Sequence, residues 1–225
     1  VNVGIGSRGV MRQHEYWRSG GRAKARRALI RDSMDTRLLL VSHAATLAQR
    51  AGRFPADEPL EARDRAAAET ARAVLARRAD LDGATVFTSP AACARDTATA
   101  LGLMATPVDA LADVDYGEWR GQRLADIAQQ AADALAAWTR DPAIAPPGGE
   151  SFTEVVQRVG QWLDHAAPSA RTVIAVTHAP LMRAALVYAL GAAPELFPRI
   201  EIAPLSMIEL RSSRRVWTWW PATAL

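Results

Sequence analysis

Two histidines stand in matched settings. His43 follows an apolar run at 38–41 in V-S-H-A-A-T, and His178 follows another at 173–176 in V-T-H-A-P. Neutral imidazole is a nucleophile and a base near pH 7, and its protonated form is an acid. The other two histidines lack that setting: His14 lies in a basic N-terminal stretch and His165 late in a helical segment. A carboxyl group is the third candidate. Asp113, Asp115 and Glu118 lie in L-A-D-V-D-Y-G-E-W-R-G, a loop punctuated by Gly117 and Gly121. Burial or a neighbouring like charge would bring one of them into the range of a general acid. Two imidazoles can also hold a metal, but no third ligand stands at helical or strand spacing to either. The single cysteine, Cys93, excludes an internal disulfide and a cysteine-built metal site, and neither a metal nor a cofactor is expected.

Residues so far apart need a scaffold that returns the chain to one place. R-L-L-L-V-S at 37–42, T-V-F-T at 85–88 and T-V-I-A-V-T at 172–177 read as short buried strands. Helices are expected between them. One runs over 59–78, and a second over 90–101 opens with Ser89 as N-cap and Pro90 as first residue. A third covers 124–138 and stops at Asp141-Pro142. After the Pro- and Gly-rich stretch 142–149, Ser151 and Glu154 form a capping box that starts a helix reaching about residue 166. The last covers 181–190 and ends at Gly191. Residues 205–210 and 215–220 alternate about a Ser-Ser turn, as a hairpin or two edge strands do. Strands alternating with helices predict an α/β fold: a three-layer α/β/α sandwich whose mostly parallel sheet carries helices on both faces. Ligands of such sheets bind beyond the carboxyl ends of the strands, where His43 and His178 stand.

At 49% apolar and 23% charged over 225 residues, the chain has the composition of a globular protein, not of a disordered or fibrous one. No apolar run approaches the roughly 20 residues that span a bilayer. The net charge of +3 divides unevenly: residues 1–33 carry +6 and residues 34–225 carry −3. The first stretch has no hydrophobic period and precedes Met34. It is expected to be a disordered basic extension, or an over-long reading of the start ahead of Met34, with 34–225 forming the domain. A basic tail can bind nucleic acid or an acidic membrane, but without aromatic interleaving neither partner is expected. One cysteine is in keeping with a reducing cytoplasm.

Four segments in order resemble the histidine phosphatase superfamily, the phosphoglycerate-mutase-like group. Val41, His43, Thr46, Gly52, Arg53, Phe54, Pro59 and Leu60 resemble its opening R-H-G-E-T…G-R-F…P-L. T-S-P-A-A-C-A-R-D-T-A at 88–98 resembles S-S-P-L-x-R-A-x-x-T-A, and D-V-D-Y-G-E-W-R-G at 113–121 resembles E-x-D-F-G-E-W-E-G. P-G-G-E-S at 147–151 and V-T-H-A-P-L-M-R at 176–183 resemble the closing segments. The resemblance implies that His43 accepts a phosphoryl group, that Asp113 protonates the leaving oxygen, and that His178 contacts the phosphoryl group in the transition state. It implies no metal.

The departures fall on the phosphate pocket. Ser42 stands where the family has the arginine before its first histidine, and Cys93 stands at the second arginine. Ala44, Ala45 and Ala179 replace Gly, Glu and Gly. Arginine clamps make charge-assisted hydrogen bonds worth roughly 1.5–3 kcal/mol each, so losing two would cost several powers of ten in rate. The pocket is therefore expected to draw on Ser42, Ser89 and Ala179, with Arg50, Arg53 and Arg95, and also Arg183, as candidate replacement cations. The expected activity is hydrolysis of a small phosphorylated metabolite through a phosphohistidine, with a weakened or altered phosphate pocket. The alternative is an inactive member kept as a ligand-binding or regulatory domain. The oligomeric state has no signature in the sequence.

Overall fold

A strand buried on both faces forms the centre. The computed structural model describes residues 35–165 and 170–221, all within one compact unit that begins at Asp35. The expectations for residues 1–33 lie outside the described residues. In β1 (Thr36–Ser42), Leu38 and Leu40 face one core and Leu39 and Val41 the other, all four at most 2% exposed. Full burial of such side chains contributes roughly 1.5–3 kcal/mol each. The remaining strands are β2 (Thr85–Thr88), β3 (Thr106–Pro107), β4 (Thr172–Thr177), β5 (Met207–Ser213) and β6 (Val216–Trp220). They form one sheet in the order β3-β2-β4-β1-β5-β6. The β3-β2-β4-β1 portion is parallel, and the β5-β6 hairpin adds antiparallel at the β1 edge.

The helices are α1 (Leu47–Arg50), α2 (Ala62–Ala76), α3 (Ala92–Ala100), α4 (Leu124–Gln130), α5 (Ala132–Arg140), α6 (Phe152–His165) and α7 (Ala179–Ala189). Helices α2 and α3 cover the face of Leu39 and Val41, with Leu75, Ala94 and Ala98 in contact. Helices α6 and α7 cover the face of Leu38 and Leu40 through Val155, Val159, Leu163, Leu181 and Met182. The result is the three-layer α/β/α arrangement.

Several boundaries differ from the sequence expectations. Helix α3 opens at Ala92, with Ala91 at the cap position, and Ser89 does not cap it. The Ser89 hydroxyl accepts from Ala91 N–H ahead of the helix and meets His178 Nε2 (2.8 Å). The helix expected over 124–138 is two helices, because Ala131 (φ −143°, ψ 49°) leaves helical geometry. The hairpin begins at Met207, since Leu205 takes a positive φ of 60°. The capping box forms as expected: Glu154 N–H donates to Ser151 Oγ (3.3 Å), and Ser151 N–H donates to Glu154 Oε2 (2.7 Å).

Candidate active site

Strand register brings the two histidines together. Ser42 of β1 pairs with Thr177 of β4, so the next residue of each strand is His43 and His178. The His43 N–H donates to the Thr177 carbonyl (2.9 Å), which extends the ladder one residue further. On the other side of β4, Thr88 of β2 pairs with Val176, and Ser89 N–H donates to the Val176 carbonyl (2.8 Å). Ser89, His178 and His43 therefore stand side by side at the carboxyl ends of three adjacent parallel strands. The imidazole centroids are 4.9 Å apart with the rings 66° from parallel. Both side chains are buried, at 4% and 2% exposure.

Hydrogen bonds orient each ring. His43 Nδ1 lies 2.6 Å from the Ala44 carbonyl oxygen. A carbonyl only accepts, so Nδ1 carries the proton and the lone pair is on Nε2. His178 Nε2 lies 2.8 Å from Ser89 Oγ, which also accepts from Ala91 N–H (3.2 Å). His178 Nδ1 lies 3.3 Å from Asp113 Oδ2 but is not aligned for a hydrogen bond. Burial lowers the pKa of both histidines, that of His178 to about 3. Each imidazole is thus neutral at pH 7. Burial pushes the Asp113 carboxyl up to about 6, although the Val114 N–H donates to it (2.8 Å) and favours its ionised form. A neutral nucleophile beside a carboxyl that still holds its proton just below neutral pH is a pairing suited to group transfer.

Asp113 reaches the histidines because its loop is held from behind. Arg158 of α6 donates to the carbonyls of Ala110 (2.8 Å), Ala112 (3.1 Å) and Asp113 (3.4 Å), while a second pair of its protons grips Glu150 (3.0 and 2.8 Å). The P-G-G-E stretch supports the same loop, with Glu150 N–H donating to the Asp115 carbonyl (2.7 Å). A Cβ at Gly149 would collide with that carbonyl, and one at Gly117 (φ 51°) would collide with the Pro147 carbonyl. Only glycine allows these two backbones to pass so closely. Phe54, Tyr116, Trp119 and Trp138 pack as a cluster under the loop, with centroid spacings of 4.9 to 5.8 Å.

The cleft above the histidines has a volume of about 400 Å³. Asp57, Glu58, Asp113 and Asp115 line it, and Arg120 is its one cationic lining residue among the described residues. Arg120 pairs at the rim with Asp115 (2.9 Å), both about half exposed. Cys93 lies in the floor.

The sequence model of the histidine phosphatase superfamily (branch 1) matches residues 24–220. The chain belongs to that superfamily. Among relatives, it is similar to glucosyl-3-phosphoglycerate phosphatase of Mycolicibacterium vanbaalenii, 32% identical over 177 residues, covering 72% of this chain and 77% of that protein. A bifunctional protein of Mycobacterium tuberculosis is 35% identical over 143 residues, covering 60% of this chain and 39% of that protein. The chain thus spans well under half the length of that relative. Among solved structures, a mycobacterial glucosyl-3-phosphoglycerate phosphatase in complex with vanadate superposes with a TM-score of 0.73 at 27% identity, over 82% of this chain and 96% of that one. An α-ribazole phosphatase from Shigella flexneri shares the fold, with a TM-score of 0.74 at 21% identity over 84% and 96% of the two chains.

Within this superfamily member, the residues expected from sequence separate into two groups. His43, His178, Asp113 and Ser89 come together. Ser42 is buried beneath His43, its hydroxyl directed at the His43 carbonyl (3.5 Å), and does not line the cleft. Ala179 begins α7 and packs on the core. The replacement arginines do not line the cleft. Arg50 pairs with the buried Asp64 (2.7 Å) and with Glu61, since a buried carboxylate takes the nearest guanidinium. Arg53 donates to the Gly121 carbonyl (3.0 Å), Arg95 is exposed on α3, and Arg183 stacks on Phe197 in an adjoining cleft. Sequence reading missed Arg120 and Arg158, while Cys93 lies in the cleft where the resemblance put the second arginine. Arg120 is the R of G-E-W-R-G and was in view. Arg158 acts through backbone carbonyls and leaves no motif. Cys93 enters from α3, so its nearness to the two histidines follows from the motif at 88–98 and not from any local spacing to them.

Proposed function

We propose that this chain hydrolyses phosphomonoesters of small metabolites through a phosphohistidine on His43. The convergence of an unprotonated His43 Nε2, His178 and the raised carboxyl of Asp113 carries the reading. His43 Nε2 attacks phosphorus as the ester P–O bond breaks, and the Asp113 proton passes to the departing alkoxide. Water then attacks the phosphohistidine and gives its proton to the Asp113 carboxylate, which releases inorganic phosphate and restores both groups. His178 stands at the N-cap of α7, and the partial positive charge of that helix end favours the phosphoryl oxygens by ~0.3–1 kcal/mol. That is less than one arginine clamp at roughly 1.5–3 kcal/mol, so turnover is slow. The names of the similar phosphatases support a phosphorylated metabolite as substrate. Among the described residues no helix is long and apolar enough to cross a membrane.

The acidic lining of the cleft favours a second reading, an inactive member that binds a ligand. Wild type and His43→Ala on a broad phosphoester panel separate the two. Turnover that disappears in His43→Ala, with a base-stable, acid-labile phosphoprotein trapped in wild type, supports the hydrolase. Robust turnover that survives His43→Ala overturns phosphohistidine chemistry. No turnover in either, with phosphorylated ligands still bound by wild type, establishes the binding domain. Restoring charge in the floor of the cleft with Cys93→Arg should raise the rate on nitrophenyl phosphate, whereas Ser42→Arg, at a position buried beneath His43, should not.

A further inference from the structure

The phosphoryl reading leaves Cys93 without a role, although it lies in the floor of the cleft with the two histidines. We propose that His43, Cys93 and His178 form a three-ligand site for a thiophilic divalent cation, zinc above all, with a fourth position open to the cleft. Their donor atoms, one imidazole nitrogen from each histidine and Cys93 Sγ, all lie within 4.8 Å of one another, and all three side chains are buried. Around a tetrahedral zinc with bonds of about 2.0–2.3 Å, donors stand roughly 3.3–3.6 Å apart. Closure therefore takes about 1 Å, within the reach of side-chain rotation.

Independent features point the same way. The donors come from the ends of two paired strands and the first turn of α3, so the backbone already fixes their spacing. The proton on His43 Nδ1 is held by the Ala44 carbonyl, which leaves Nε2 as the donor, and a backbone carbonyl behind the ring is a common partner of ligating histidines. His178 Nδ1 is buried without a hydrogen-bond partner, and Nε2 meets only a rotatable hydroxyl. Asp113, 3.3 Å from Nδ1, can steady that ring or supply an oxygen. Four carboxylates against one arginine along the cleft repel anions and attract cations. Two nitrogens and a sulfur suit zinc better than magnesium or calcium, which take oxygen ligands.

The site does not depend on the phosphatase reading. An ion on His43 Nε2 would occupy the lone pair that attacks phosphorus, so ion and phosphoryl group compete. Cobalt(II) titration of the full chain, freed of metal by chelation, tests the site by spectroscopy and needs no turnover. The expected result is one equivalent bound with a thiolate-to-cobalt charge-transfer band in the near ultraviolet, displaced stoichiometrically by zinc. Cys93→Ser should abolish the band and weaken zinc at least ~100-fold in competition with a chromophoric chelator, since even the partners behind the ligands are worth about 10–100-fold. His43→Gln should weaken zinc similarly, which keeps the test open if the Cys93 variant fails to fold. His165→Gln, on the exposed end of α6, should leave binding unchanged. No charge-transfer band in wild type at millimolar cobalt, or a band unchanged in Cys93→Ser, overturns the site.

Discussion

Arg158→Met should disconnect Asp113 from the histidine pair without touching either histidine. The guanidinium, a quarter exposed, makes three contacts to the carbonyls of the Asp113 loop and two to Glu150. Charged-donor hydrogen bonds are worth ~1.5–3 kcal/mol, and partial exposure lets water replace part of each, leaving about 1 kcal/mol per carbonyl contact. Three such contacts give about 3 kcal/mol, which raises the displaced-loop population about 100-fold. The rate loss cannot exceed that of removing the acid itself, ~10²–10⁴-fold. The expected effect is therefore a fall of roughly 10- to 100-fold in kcat/KM on an alkyl phosphate, whose alkoxide must be protonated to leave. Nitrophenyl phosphate should respond little, because its phenolate departs without a proton. In an Asp113→Asn background, Arg158→Met should cost little more, since the group it positions is already gone. Equal losses on both substrates, or full additivity with Asp113→Asn, would refute a positioning role and place Arg158 in general stability. Thermal melts of each variant, run beside the kinetics, separate these outcomes.

Other predictions follow from the same contacts. The rate on alkyl phosphates should fall as pH rises through about 6, where Asp113 loses its proton, and Asp113→Asn should remove that limb. On the acid side the rate should persist below pH 6.5, because burial lowers the His43 pKa and keeps Nε2 free. Gly149→Ala should push the Asp115 carbonyl away and lower kcat/KM by about tenfold or more on alkyl phosphates, as misplacement near 1 Å does. Glu209, buried in β5, accepts from Arg37 (2.8 and 2.7 Å) and Arg211 (2.7 Å), so Glu209→Gln should destabilise by about 3 kcal/mol, read by urea denaturation. Burial raises the Glu209 pKa, but those arginines outweigh it and the net shift is downward. Its contribution is thus present above the unfolded-state pKa and is lost as pH falls through the lower folded value.

Much of this architecture is legible in the sequence because it follows from local rules. Short apolar runs marked β1, β2 and β4, and the Ser151–Glu154 box marked the start of α6. The matched strand-end contexts of His43 and His178 were enough to pair them, since parallel strands of one sheet end on the same side. What stayed hidden depends on distant partners. Ser89 has the residue type and neighbour of a helix cap, yet its hydroxyl is drawn to a histidine 89 residues away. Arg50 and Arg53 stand close in sequence to His43 but are taken by Asp64 and by a backbone carbonyl. The kink at Ala131 carries no glycine or proline to announce it.

The register between β1 and β4 has a consequence for how the site comes into being. The two strands are separated by well over a hundred residues, and every backbone bond that places His43 beside His178 crosses that interval. Closing so long a loop is entropically costly and slow compared with forming α2, α3 or the β5-β6 hairpin. During synthesis, a nascent chain that ends before Thr172 already contains His43, Ser89, Cys93 and Asp113, yet it has no strand to carry the second histidine. Ligand affinity at the cleft would then arise late and all at once, and it would serve as a reporter that folding has reached completion.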